Sequence, residues 1–127
     1  ACRFVVAEPE DGAAAVAEHY RHLGVIRVAT KSPRITEQHY SAKGVQVELI
    51  KLHGNIEIAP LIGLADQVVD ITATGTTLRE NHLRIVEEVL PSTARFIANP
   101  ASLRTSGKRI TELAGALASA TNVTPLE

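Results

Sequence analysis

Tryptophan and methionine are absent, and aromatic side chains make up only 3% of the 127 residues. That scarcity removes the stacking platform on which single-stranded nucleic acid is bound. The formal net charge is −1, so neither a phosphate backbone nor an anionic membrane surface finds an electrostatic partner. Cys2 is the lone cysteine. It can form no internal disulfide and no cysteine metal cage, and it fits a reducing, cytoplasmic setting. No apolar run approaches the roughly 20 residues that span a bilayer, and no signal-peptide pattern is visible. The expectation is no nucleic acid and no membrane. The chain opens almost at once in the strand-like run "CRFVVAE", an abruptness expected of a piece of something longer.

What is present is the composition of one ordinary globular domain, 45% hydrophobic and 21% charged, long enough to bury a core. "CRFVVA" reads as a strand. Ala13, Val16, Tyr20 and Leu23 then recur at helical spacing up to Gly24. Val25–Ala29 is a second strand, followed by a helix with Pro33 in its first turn and Gly44 at its end. Val45–Leu52 alternates as a third strand. "GNIEIAPLIGLA" predicts a short helix that Asn55 can cap and whose dipole Glu57 complements. "QVVDIT" is a fourth strand. This alternation predicts an α/β fold, three-layered around a mostly parallel sheet. Beyond Asn81 the rhythm changes. Arg84–Ala98 reads as two extended runs broken at Pro91-Ser92, and "SGKRITELAGALASA" as an amphipathic helix with Ile110, Leu113, Ala114 and Leu117 on one stripe. "TNVTPLE" reads as a frayed tail.

The chemistry concentrates in "VVDITATGTTLREN", where an apolar strand runs through Asp70 into Thr72, Thr74, Thr76 and Thr77 around Gly75. Loops leaving the carboxyl ends of parallel strands line ligand crevices. Backbone N–H groups at a helix start favour an anion, glycine lets the main chain approach it, and hydroxyls add donors without charge. Asp70 suits a ribose hydroxyl pair or, through water, a magnesium ion. Thr77 and Glu80 also have capping-box spacing, so these residues by themselves leave a helix cap and a ribose-phosphate site both open.

The run Glu57–Leu78, "EIAPLIGLADQVVDITATGTTL", resembles the signature of ATP phosphoribosyltransferase through Glu57, Gly63, Ala65, Val68, Asp70, Ile71, Thr74, Gly75, Thr77 and Leu78. The flanking "RVATKSP", "VELIKLHGNIE" and "STARFIANPASL" are similar as well, and the likeness covers nearly the whole chain. The resemblance implies transfer of a phosphoribosyl group from phosphoribosyl pyrophosphate to N1 of ATP, with Mg²⁺, in the first step of histidine biosynthesis. It implies that Thr74, Gly75, Thr76 and Thr77 hold the sugar 5-phosphate and Asp70 the ribose hydroxyls, with Thr72, Ala73 and Leu78 in the same loop. Two further turns, at Thr30 and Lys31 and at Gly54, Asn55 and Glu57, could serve as substrate-binding walls or be ordinary βα turns with a solvated lysine, and the residues leave both open. His53 stands where the family usually has serine. No residue is assigned as a nucleophile, and none is needed.

The resemblance further implies one lobe of a periplasmic-binding-protein type II fold. Residues 1–98 form the second-lobe α/β domain with returning hinge strands. Residues 99–127 form a C-terminal helix and tail that would pack on a first lobe not contained in this chain. A homo-oligomer and a synthetase-like regulatory subunit are implied for the parent protein. Two alternatives stand beside this reading. A type I phosphoribosyltransferase places two acids together, whereas Asp70 is followed by Ile71. A non-catalytic binding lobe would need neither Asp70 nor magnesium. His19 and His22, at i and i+3, lack a third metal ligand and read as surface residues, as do His39 and His82.

Overall fold

The computed structural model describes residues 1–121; the tail from Asn122 lies outside the described residues. Five strands and four α-helices follow in the order β1 (Cys2–Pro9), α1 (Ala13–Leu23), β2 (Ile26–Thr30), α2 (Pro33–Ala42), β3 (Val47–Lys51), a one-turn 3-10 helix (Ile56–Ile58), β4 (Gln67–Thr72), α3 (Thr76–Glu80), β5 (Leu83–Ser92) and α4 (Pro100–Thr121). The strands form one sheet in the order β3-β2-β4-β1-β5.

The sheet is mixed. β2 pairs in parallel with β3 and β4, while β1 runs antiparallel to both β4 and β5. Four strands therefore share one direction, and a single reversed strand creates both antiparallel ladders. A central strand buried on both faces reads as a continuous apolar run whichever way it points, so Val5, Val6 and Ala7 carry no sign of that reversal.

Successive residues face opposite sides of a strand, and the core divides accordingly. Val5, Ala7, Ala29 and Val68 pack with Ala59, Ala65, Leu78 and Leu83 on one face. Val6, Val28 and Val69 pack with Tyr40 of α2 on the other. That is the three-layer arrangement. α1 buries Val16 alone from its apolar stripe, and Tyr20 and Leu23 remain exposed.

Among the described residues every buried side-chain nitrogen and oxygen has a hydrogen-bond partner. Tyr40 donates its hydroxyl to the Gln67 side chain at 2.7 Å, the Gln67 amide donates to Glu8 at 2.9 Å, and Arg84 donates to Glu8 at 3.1 Å. This chain of bonds ties α2, β4, β1 and β5 together. Asp66, 6% exposed, accepts the Arg27 backbone N–H at 3.0 Å and the Arg27 guanidinium at 3.2 Å, and lies 2.7 Å from His19 Nδ1.

Several local expectations change. Pro91 does not break an extended run but lies inside β5, paired with Arg3. β5 is the edge strand, where a missing N–H interrupts no ladder. The run after Ser92, expected as extended, joins no ladder and has no regular secondary structure over 93–98. The last helix starts earlier than its periodicity suggests, because Asn99 accepts the Ala101 N–H at 2.8 Å ahead of Pro100; it then kinks at Ser106, whose φ is −134°. His19 and His39 are not plain surface residues, for they bond Asp66 and Glu87 respectively. The compact α/β unit is Ala1–Thr93, and a second unit begins at Ala94. No helix among the described residues is long and apolar enough to cross a membrane.

Candidate functional site

The parallel register puts three strand ends at one level. Thr30 of β2 is paired with Lys51 of β3 on one side and Val69 of β4 on the other. Lys31 and Leu52 follow that row directly, while β4 continues past it through Asp70 to Thr72, paired with β1, and the loops after the three strands leave the sheet along a common edge. All three loops singled out in the sequence issue from that carboxyl edge, where open α/β sheets hold ligands.

The threonine turn is organised by its own side chains. Gly75 precedes α3 with φ +77°, a left-handed conformation that side chains with a Cβ resist. A Cβ there would meet Arg79 Nη1 at 3.1 Å and Ile85 Cδ1 at 3.2 Å. The Thr72 hydroxyl accepts the Gly75 N–H at 2.8 Å. The Thr74 and Thr76 hydroxyls lie 2.8 Å apart. The capping box does not form: α3 begins at Thr76 and has no side-chain cap. Three hydroxyls thus shape the loop rather than terminate the helix. Ala73, Thr74, Thr76 and Thr77 are exposed, whereas Leu78 is 2% exposed and anchors α3 in the core.

Asp70 is half-buried, and its carboxylate accepts the N–H of Ile71 at 2.8 Å. Burial pushes its pKa above the usual carboxylate range; Lys31 pulls it back and Glu57 pushes it further up. Asp70, Lys31 and Glu57 therefore share one electrostatic neighbourhood although they come from β4, the turn after β2 and the 3-10 helix after β3. Gly54 and Asn55 are exposed on the turn after β3. Asn55 adopts φ +52° and makes no side-chain cap, so its expected capping bond is absent.

Thr30 is a different case. It is fully buried, accepts the Ser32 N–H at 3.0 Å and meets the Thr36 hydroxyl at 3.1 Å. It braces the start of α2 and offers a ligand no surface in this structure; of that turn only Lys31 is exposed. Leu78 likewise presents no side-chain surface.

Two residues at this edge escaped the sequence reading. Arg3 is paired with Thr72 across the β1–β4 ladder, a juxtaposition that only register reveals. Arg79 donates to the Thr74 carbonyl at 2.9 Å and to the Thr76 hydroxyl at 3.3 Å. The i, i+3 spacing of Thr76 and Arg79 on a helix was the signal available for it.

No cluster of three or more His, Cys, Asp or Glu side chains suited to a metal occurs among the described residues. The Asp70 and Glu57 carboxylates are the acids at this edge. Such a donor set fits Mg²⁺ carried largely by water and substrate phosphates, not an all-protein cage.

A mixed, three-layer α/β unit with its loops gathered at the carboxyl edge is one lobe of the periplasmic-binding-protein type II class. The second substrate-binding domain of a putative amino acid ABC transporter from Streptococcus pneumoniae shares this fold, with TM-score 0.51 and 16% identity over 87% of this chain and 60% of that one. The family is more specific. The ATP phosphoribosyltransferase family model matches residues 1–119, and the chain belongs to that family. It is 50% identical over 119 residues to an ATP phosphoribosyltransferase of Rubrobacter xylanophilus, covering 94% of this chain and 54% of the relative. It is 52% identical over 112 residues to one of Syntrophotalea carbinolica, covering 88% and 50%. In the ATP phosphoribosyltransferase (HisG:HisZ) complex from Thermotoga maritima a chain superposes with TM-score 0.62 and 32% identity, over 93% of this chain and 55% of that one. The chain spans about half the length of the curated relatives it matches.

Proposed function

We propose that this chain supplies the phosphoribosyl pyrophosphate half of an ATP phosphoribosyltransferase site. The parent enzyme transfers the phosphoribosyl group to N1 of ATP and releases pyrophosphate, the first step of histidine biosynthesis. One observation carries the reading: the family signature residues Asp70 and Thr72–Thr77 occupy the same sheet edge as Lys31 and Glu57. The turn offers hydroxyl and main-chain donors to a 5-phosphate. Asp70 accepts hydrogen bonds from the ribose hydroxyls, and Lys31 offers charge to a second anionic group.

At C1 of the sugar the bond to pyrophosphate oxygen breaks and a bond to adenine N1 forms through an oxocarbenium-like transition state. A positive centre of that kind needs no protein nucleophile; it needs the two substrates held in line. Asp70 and the turn fix the sugar through its hydroxyls and its 5-phosphate. Mg²⁺, when bound with the substrate, offsets the charge of the leaving pyrophosphate. The remaining adenine and pyrophosphate contacts come from the first lobe of the same enzyme, in a cytoplasmic homo-oligomer with a synthetase-like regulatory subunit. The complex character of the Thermotoga maritima neighbour supports that last assignment.

The test is pyrophosphate release from phosphoribosyl pyrophosphate and ATP by the chain alone and by the chain mixed with the first lobe of the Rubrobacter xylanophilus relative. Release that requires both substrates and both lobes supports the reading. A folded mixture that binds both substrates and releases nothing contradicts it.

A further inference from the structure

The guanidinium of Arg79 bonds both sides of Gly75 in the threonine turn. Its Nη1 donates to the Thr74 carbonyl at 2.9 Å and its Nη2 to the Thr76 hydroxyl at 3.3 Å, while Nη1 lies 3.1 Å from where a Gly75 Cβ would stand. From this geometry we infer that Arg79 is a positioning residue for sugar-phosphate binding, acting through the Thr74–Thr76 hydroxyl pair. The inference rests on the phosphoribosyl pyrophosphate reading given above.

Proton counting shows how. An arginine has donors and no acceptor, so the Thr76 oxygen must accept from Arg79 and its own hydrogen must go elsewhere. The Thr76 backbone N–H also points to the Thr74 hydroxyl oxygen, at 3.4 Å. The two hydroxyls share a single bond of 2.8 Å and hold one hydrogen each. Whichever donates to the other, one hydrogen is left over and directed away from the pair, with Thr74 and Thr76 both exposed. That surplus hydrogen is an outward donor suited to an anionic oxygen. Arg79 fixes the acceptor role of Thr76, keeps the turn closed around Gly75, and adds positive charge behind the donor. Bonds that involve a charged partner are the stronger ones, and a planar fork holds two acceptors in a way an ammonium cannot. Lysine at this position retains the charge but reaches only one of the two oxygens.

The experiment compares affinity for phosphoribosyl pyrophosphate in the wild-type chain, Arg79→Gln, Arg79→Lys, Thr76→Val and the Arg79→Gln/Thr76→Val double variant, with thermal unfolding run on each. The expected result is an affinity loss of about tenfold or more for Arg79→Gln, the scale of a charge-assisted hydrogen bond. Arg79→Lys should recover part of it, with unfolding temperatures little changed. In the Thr76→Val background Arg79→Gln should cost less than it does alone, because the hydroxyl it orients is gone. Equal losses in both backgrounds, or no loss at all in a wild type that binds, overturn the role of Arg79 and leave the site reading intact. A folded wild type that fails to bind overturns the site reading, and the role of Arg79 with it.

Discussion

Asp70, still within β4, and Lys31, the first residue beyond β2, each follow the paired Val69 and Thr30 on adjacent parallel strands, so an acid and a base stand at one level of the sheet. The charges feel one another: Lys31 draws the Asp70 pKa down against burial, the larger influence, which raises it together with Glu57. Burial works against the charged form of Asp70, and such a cost is expected where a carboxylate is kept for a ligand.

That cost has a sign. A carboxyl whose pKa is higher in the folded protein binds its proton more tightly there. Its contribution to stability therefore falls as pH rises from the unfolded value of 3.8 through the raised one. Asp70→Asn should melt at a higher temperature than wild type at pH 7, with the difference closing below about pH 3.8. Thermal unfolding followed across pH 3–8 by circular dichroism checks this. A lower melting temperature for the variant at pH 7 would show that the carboxylate is structural.

Gly75 should tolerate no side chain without loss. Its φ of +77° and the 3.2 Å approach of Ile85 Cδ1 mean that Gly75→Ala costs about 1–2 kcal/mol and the β-branched Gly75→Val more. Urea unfolding gives the number. An alanine variant as stable as wild type would mean that the turn relaxes to another conformation.

Asp66 behaves in the opposite sense to Asp70. Burial tends to raise its pKa, but the hydrogen bonds from Arg27 and His19 outweigh burial and hold it below the usual carboxylate range. A depressed carboxylate stabilises the fold above its unfolded pKa and loses that contribution as pH falls through the folded one. Asp66→Ala should cost about 1.5–3 kcal/mol at pH 7, the scale of a lost hydrogen bond to a charged group, because the Arg27 and His19 side chains left behind are partly exposed. It should also flatten the acid limb of the stability profile. Denaturant titrations at pH 7 and pH 3 distinguish the two variants.

Tyr40 donates its hydroxyl to Gln67 in a fully buried setting. Tyr40→Phe leaves that amide oxygen without its donor and should cost about 1–2 kcal/mol, measured in the same way. A neutral substitution would mean that the Gln67–Glu8–Arg84 chain holds by itself.

How much was legible follows from what each signal depends on. Strand identities rest on local periodicity and appear within two residues of where "CRFVVA", Val45–Leu52 and "QVVDIT" place them, whereas the short helix expected in "GNIEIAPLIGLA" is a single 3-10 turn and the last helix begins at Pro100 rather than Ser106. The direction of β1 had no local signal, since Val5–Ala7 would look the same in either orientation. Pro91 misled because its effect depends on whether the strand lies at an edge, which sheet order alone decides. The loop cluster was visible through Asp70, Gly75 and the threonines because their chemistry is tied to sequence spacing. The internal duty of Thr30 was not, because its partners Ser32 and Thr36 matter only once α2 folds back over β2. Arg3 beside Thr72 is a product of register, and register between Cys2–Pro9 and Gln67–Thr72 spans a separation that no local pattern encodes.

The central claim is that this lobe itself carries the sugar-phosphate site, and calorimetric titration of the chain with phosphoribosyl pyrophosphate, with and without Mg²⁺, tests it most directly. The account predicts saturable binding that Mg²⁺ strengthens and that Asp70→Asn abolishes while the variant remains folded. Binding indifferent to both Mg²⁺ and Asp70→Asn, or no binding by a folded wild-type chain, would contradict it.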